Sequence, residues 1–247
     1  HRGDHVEAAC FGPGGERVMA RVPELLGLER PGVEDVPAQH PLVRELQRSM
    51  AGLRIGRTGQ VYPRLVSTGL AQLVTGANSK PALRRIAQQW GELAPGPRED
   101  LWLLPAHRDL ASRPYYDFHP LNIERHRADL VRRIADRAPA LQRAARMPPV
   151  EGRAHLEKLR GIGPWTSGVV MGGPLGDADA VPIGDWHLPN IVAFNLAGEP
   201  RADDARMMQL LEPFAPYRGL VARMLKVGGQ GAPKYGPKNA VREIRHL

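Results

Sequence analysis

Between residues 41 and 229 the apolar side chains recur every three or four positions and never alternate as in a strand, which restricts this stretch to a helical body. Leu42, Leu46, Met50 and Leu53 share one face and end near Gly52 and Gly56. Residues 62–75 place Leu65, Val66, Leu70, Leu73 and Val74 together. Residues 80–93 repeat the pattern with Leu83, Ile86, Ala87 and Trp90 before Gly91 and Pro95 stop it. Further helices are predicted over 108–112, 123–137, 150–160, 164–172, 185–196, 203–212 and 216–226. The expected fold class is mainly α, with about ten short helices.

Ahead of this body, residues 5–11 and 16–22 are strand candidates around the turn-rich Gly12-Pro13-Gly14-Gly15. Two strands are marginal alone, so they are expected to belong to a larger sheet. Residues 1–37 are thus assigned to a small β element and a Pro-punctuated connector with a short helix at 24–28, and residues 38–247 to the helical domain. The chain starts at His1 without an initiating Met, and a segment upstream is expected.

The 247 residues suffice for one sizeable core or two smaller ones. No apolar run approaches the roughly 20 residues needed to cross a bilayer. A single cysteine, Cys10, excludes a disulfide framework, a thiolate zinc site and a four-cysteine iron–sulfur cluster. It fits a reducing compartment, and a cytoplasmic, nucleoid-associated bacterial protein is expected. Lys and Arg number 34 against 26 Asp and Glu, a net charge of +8. Such a balance favours polyanions, nucleic acid first. Only Lys80, Lys158, Lys226, Lys234 and Lys238 are lysines, and codon drift in a GC-rich genome produces the same arginine bias. Charge alone leaves both readings open.

The informative stretch is Leu156-Glu-Lys-Leu-Arg-Gly-Ile-Gly-Pro-Trp-Thr-Ser-Gly168. Gly161 and Gly163 separate a periodic helix from a second one opened by Pro164, a residue suited to the first helical position. A tight helical hairpin over 156–172 would present backbone N–H groups at a helix N-terminus, where a phosphate binds well. A plain packing element has the same pattern. Further on, Val181-Pro-Ile-Gly-Asp-Trp-His-Leu188 sets Asp185, 22 residues beyond Gly163, before an apolar helix. There it reads either as a helix cap or as a catalytic acid.

Taken together, the hairpin and the Val-Pro-Ile-Gly-Asp loop at 181–188 resemble the helix-hairpin-helix DNA glycosylases, and most closely their 3-methyladenine DNA glycosylase II branch. Leu70-Ala-Gln-Leu-Val-Thr75 is similar to that family's Gln-Leu-Val segment. Asn122-Ile-Glu-Arg-His-Arg-Ala128 resembles its Gly-x-x-x-Arg-Ala helix start without the glycine, and Pro216-Tyr-Arg-Gly219 resembles its C-terminal turn. The resemblance runs from about residue 41 to 229. It implies two helical subdomains with the strand pair as the tail of an N-terminal β domain.

The resemblance implies Asp185 as the catalytic carboxylate of a base-excision enzyme that flips a damaged base out of duplex DNA. It implies Trp165, Trp186, Tyr217 and Phe118 as walls of the base pocket. Within the aromatic cluster Trp102, Tyr115, Tyr116 and Phe118, core packing is the competing reading. Leu73, or else Gln72, corresponds to the apolar wedge that fills the vacated space; Leu73 reads equally well as a core leucine. Arg160, Gly161, Ile162, Gly163 and Thr166 would bind phosphate. The main-chain carbonyls of Glu157, Leu159 and Ile162 would hold a Na+ or K+ ion; no cofactor is expected for catalysis. Bifunctional members carry a lysine where this chain has Trp165, so a monofunctional enzyme leaving an abasic site is expected; Lys158 and Lys226 lie elsewhere. The family usually acts as a monomer. The basic tail at 234–245 would be a DNA strap or a surface-packed end. N-alkylated purines are the expected substrates. The alternatives are oxidised or deaminated bases, or a non-catalytic damage-binding protein.

Overall fold

A computed structural model describes residues 5–74 and 76–233. Among these, thirteen α-helices and four short 3-10 turns carry the fold. Helices Pro41–Ser49, Val61–Leu70, Gly76–Trp90, His107–Ser112, Arg125–Asp136, Pro149–Glu157, Pro164–Gly172, Leu188–Ala197, Asp204–Leu211 and Arg218–Gly228 follow the periodic segments. No helix among the described residues is long and apolar enough to cross a membrane. The basic tail at 234–245 lies outside the described residues.

Two hydrophobic cores divide the helical body. The first gathers Leu65, Leu70, Ile86, Leu130, Ile134 and Leu156, with other residues between Val61 and Ala180. The second joins Val33, Val43 and Leu46 to Val192, Met207 and Leu220. The chain therefore begins in the second lobe, builds the first, and returns through the loop that precedes Leu188–Ala197. Each core helix contributes an apolar stripe to its own lobe, and the returning loop runs along the seam between them.

The N-terminal strand pair is not formed. Residues 5–11 have no regular secondary structure, and 16–22 fall in helices Gly15–Met19 and Val22–Leu25 and the two-residue turn between them. Gly14, at φ +89°, caps the first of these instead of turning a β-hairpin. Glu16, Arg17, Met19 and Ala20 are sound helix formers, and among the described residues no neighbouring strand stabilises an extended pair. The sheet among the described residues is instead an unforeseen two-residue ladder, Glu92–Leu93 against Trp102–Leu103.

Phe118 also differs from expectation. It sits in a 3-10 turn, Tyr115–Leu121, fully buried in the first core with its ring edge-on to Trp90 at 5.0 Å. Burial of a phenyl ring on all sides makes it a packing residue, not a pocket wall. Its neighbours Tyr115 and Tyr116 are exposed.

Helix Val61–Leu70 stops five residues before the predicted end, and a buried arginine accounts for the stop. Arg127 is 2% exposed, pairs with Glu124, and donates from Nη1 to the Leu70 carbonyl at 3.0 Å. A cation at a helix C-terminus satisfies carbonyls that have no partner within the helix. Beyond it Leu73 adopts φ +59°, which an L-residue enters at a cost of about 1–2 kcal/mol. Its side chain is 92% exposed, so the core-leucine reading fails.

The helical hairpin rests on Arg125–Asp136. Gly161, at φ +98°, lies against that helix so closely that a Cβ would come within 2.8 Å of Leu130 Cδ1. Gly163 differs: its backbone is extended and nothing lies near a built Cβ. Gly161→Ala is therefore expected to destabilise the fold by about 1–3 kcal/mol, while Gly163→Ser, a good cap, changes it by less than about 0.5 kcal/mol. Urea denaturation of the two variants checks this, and equal effects would contradict it.

Candidate active site

The hairpin supplies one wall. Helices Pro149–Glu157 and Pro164–Gly172 are tied by Ser167, whose Oγ donates to Glu157 Oε1 at 2.6 Å and to the Pro164 carbonyl at 3.2 Å. Ser167 is fully buried, so this link fixes the angle of the second helix. Of the residues expected to bind phosphate, Arg160 and Gly161 are exposed and Gly163 is half-buried. Ile162 and Thr166 are not at the surface. Ile162 is buried with its N–H donated to the Leu159 carbonyl at 2.9 Å. Thr166 is 2% exposed, and its hydroxyl accepts from Gln72 at 3.0 Å. Packing has taken both side chains into the hairpin's interior.

The opposite wall is the returning loop, fixed from three directions. Asp179 Oδ1 accepts from the Arg218 backbone N–H at 3.0 Å and from Arg218 Nε at 2.9 Å. Burial pushes the Asp179 pKa up, but these hydrogen bonds and the Arg218 charge outweigh it and hold the carboxylate below its ordinary range. The loop also lies directly on the hairpin helix at Gly168, where a Cβ would come within 2.6 Å of the Val181 carbonyl oxygen. Arg153 Nη2 donates to that same carbonyl at 3.1 Å. Finally, Gly184, at φ +89°, donates its N–H to Asp204 Oδ2 at 3.0 Å.

Asp185 follows at the end of this fixed loop and faces Trp165. Its Oδ1 accepts the backbone N–H groups of His187 and Leu188, both at 3.0 Å, and its Oδ2 accepts Trp165 Nε1 at 3.2 Å. One carboxylate oxygen thus accepts N–H groups at the start of helix Leu188–Ala197, whose N-cap is His187, while the other faces Trp165 in the cleft. Burial acts to raise the Asp185 pKa. The His187 N–H, the Trp165 indole, the Leu188 N–H and the Lys226 charge overcome it, and the carboxyl sits below the usual range. Asp185 is therefore an anion at neutral pH although half-buried.

Between the walls lies a cleft of about 1100 Å³, lined by Gln72, Leu73, Gly161, Trp165, Asp185 and Trp186 among others. Trp186 is 86% exposed on its rim. Tyr217, expected in the pocket, is not among the lining residues; it packs against the second core. The next residue, Arg218, ties this turn to Asp179. Sequence reading missed this pair, the role of Gln72, and His187, which lines the cleft and donates to Asp185. The spacing Asp185–Leu188 held the signal for the last, since an Asp three positions before an apolar residue at a helix start accepts N–H groups there. Among the described residues no cluster of His, Cys, Asp and Glu is placed to hold a metal ion.

Folding lowers the Asp185 pKa, so its stabilising contribution is complete above the unfolded value and is lost as pH falls through the folded one. The indole N–H resonance of Trp165 should accordingly shift on acidification with a midpoint below the ordinary aspartate range. NMR of indole-labelled protein checks this; a midpoint above that range would contradict the geometry.

Comparison with known proteins gives the arrangement its context. No protein-family model matches the chain. A Bacillus subtilis (strain 168) protein, YfjP, whose name marks it provisionally as a DNA-3-methyladenine glycosylase, is 29% identical over 130 residues. That match covers 50% of this chain and 45% of the relative, so the chain aligns with less than half of the relative's length. Among solved structures, a 3-methyladenine DNA glycosylase from Archaeoglobus fulgidus superimposes with a TM-score of 0.72 at 18% identity, over 86% of this chain and 74% of that one. The Clostridium acetobutylicum 8-oxoguanine glycosylase/lyase, in complex with double-stranded DNA, gives 0.70 at 19% identity over 85% and 74%. Two helical lobes, a hairpin and an aspartate-bearing loop at their seam are thus arranged in this chain in the fold of the helix-hairpin-helix DNA glycosylases.

Proposed function

We propose that the chain is a monofunctional DNA glycosylase of base excision repair, acting as a monomer on duplex DNA and removing N-alkylated purines of the 3-methyladenine type. The observation that carries this reading is the ionised, half-buried Asp185 held against Trp165 on the wall of the cleft. Breaking an N-glycosidic bond sends its electron pair to the departing base and leaves positive charge on the sugar at C1′. A fixed carboxylate beside C1′ stabilises that charge, and the low-polarity surroundings strengthen the effect. Water then adds at C1′, oriented by the same carboxylate, and its proton passes to solvent or to the base.

The base must leave the stack to reach Asp185. Exposed Leu73 at the cleft mouth has the position and character of a wedge that fills the vacated space. Trp165 and Trp186 offer aromatic faces to an electron-poor alkylpurine, whose glycosidic bond is already weakened. Arg160 and the backbone at Gly161 and Gly163 form the phosphate anchor at the N-terminus of Pro164–Gly172. The carbonyls of Glu157, Leu159 and Ile162 are hard oxygen donors suited to a sodium or potassium ion. Leu159 keeps a free lone pair beside its bond to Ile162. Such an ion would add positive charge at the anchor. With Trp165 in the place of a nucleophilic lysine, the product is an intact abasic site.

Single-turnover excision from methylated duplex DNA tests the reading, with strands analysed before and after alkali. Wild type is expected to release free methylpurine with breaks only after alkali. Asp185→Asn should lower the rate by at least about a hundredfold while binding DNA as wild type does. Undiminished release by Asp185→Asn would overturn the assignment. Breaks without alkali would overturn the monofunctional part, and release of 8-oxoguanine from an oxidised duplex with none of methylpurine from the methylated one would overturn the substrate class.

A further inference from the structure

The loop that carries Leu73 is held at its near end by Arg127 on the Leu70 carbonyl, but its far attachment crosses the cleft wall to a distant part of the chain. Gln72 Nε2 donates one hydrogen to the Gly161 carbonyl at 2.8 Å and the other to Thr166 Oγ1 at 3.0 Å. Both acceptors are rigid. Gly161 is confined by its φ of +98° and by Leu130, and Thr166 is buried at 2% exposure. The next residue, Leu73, is 92% exposed in a left-handed conformation that a free loop would relax. The amide of Gln72 is thus spent on the protein and not turned outward as a second wedge.

We propose that Gln72 is a positioning residue that clamps the Leu73 loop to the phosphate-anchoring hairpin, so that gripping the backbone and inserting Leu73 occur as one rigid step. This rests on the glycosylase reading for its biological meaning, but the clamp itself concerns DNA insertion and needs no excision. Two hydrogen bonds to fixed acceptors give the clamp its directionality. Their loss frees Leu73 to leave its left-handed conformation while the hairpin, tied by Ser167 to Glu157, stays in place. The consequence is a separation of two quantities that are normally linked: affinity for the duplex is retained while insertion is lost.

The test uses duplex DNA with a tetrahydrofuran abasic analogue beside 2-aminopurine, whose fluorescence rises when a side chain disrupts its stacking. At saturating protein, Gln72→Met is expected to lower that rise about tenfold, the worth of one or two hydrogen bonds, with affinity changed less than about twofold. Leu73→Ala should lower the rise at least as much, and the double variant should be no worse than the poorer single one. Gln72→Lys, whose ammonium reaches the same two acceptors, should restore insertion. A wild-type-like Gln72→Met, additive losses in the double variant, or no fluorescence rise with wild type would each overturn the clamp. Absence of base excision with insertion intact would instead count only against the glycosylase reading.

Discussion

A charged carboxylate in a half-buried cleft needs compensation, and the arrangement around Asp185 is largely the supply of it. Two backbone N–H groups from the start of Leu188–Ala197, one indole N–H from Trp165 and the field of Lys226 outweigh the cost of removing the carboxylate from water. Each of these donors is itself fixed. Trp165 stands in the first turn of Pro164–Gly172, tied through Ser167 to Glu157. The loop bearing Asp185 is held by Arg218 on Asp179 and by direct backbone contact at Gly168. The site is therefore the meeting point of two lobes, and neither lobe alone would position it.

The same logic extends to the surface around the cleft. Arg160 and the hairpin backbone offer positive charge and N–H groups, while Leu73 stands about as far out of its loop as a leucine can. A buried arginine, Arg127, ends the preceding helix and so sets where the exposed loop begins. Gln72 then joins that loop to the hairpin. Surface chemistry and buried hydrogen bonding are two ends of one framework, which accounts for an exposed Leu73 held in a conformation it would not adopt freely.

Much of this framework was legible from residue spacing. Strong apolar periodicity located the helices, because each buries one stripe against a core. Pro164 after Gly163 marked a helix start, and Asp185 before an apolar run marked another. What the spacing concealed depends on tertiary contacts. The end of Val61–Leu70 is decided by Arg127, 57 residues away in sequence. Phe118 and Tyr217 look alike as aromatics beside polar residues, yet both face cores, and only three-dimensional packing tells a pocket wall from a packing residue. Residues 16–22 combine apolar alternation with good helix formers, and with no partner strand among the described residues helix propensity prevailed over most of them. The side chains of Ile162 and Thr166 are withdrawn from the surface for a related reason: a tight hairpin has an inside, and these two residues form it.

The central claim is that Asp185 acts as a fixed negative charge toward a positive sugar. Its most direct test compares binding of duplexes carrying either a cationic pyrrolidine or a neutral tetrahydrofuran in place of the target nucleotide, with wild type and Asp185→Asn. Wild type should favour the cationic analogue by about tenfold or more, and the preference should vanish in Asp185→Asn, whose shape is the same and whose charge is gone. Equal affinity of wild type for the two analogues, or a preference that survives the substitution, would contradict the account.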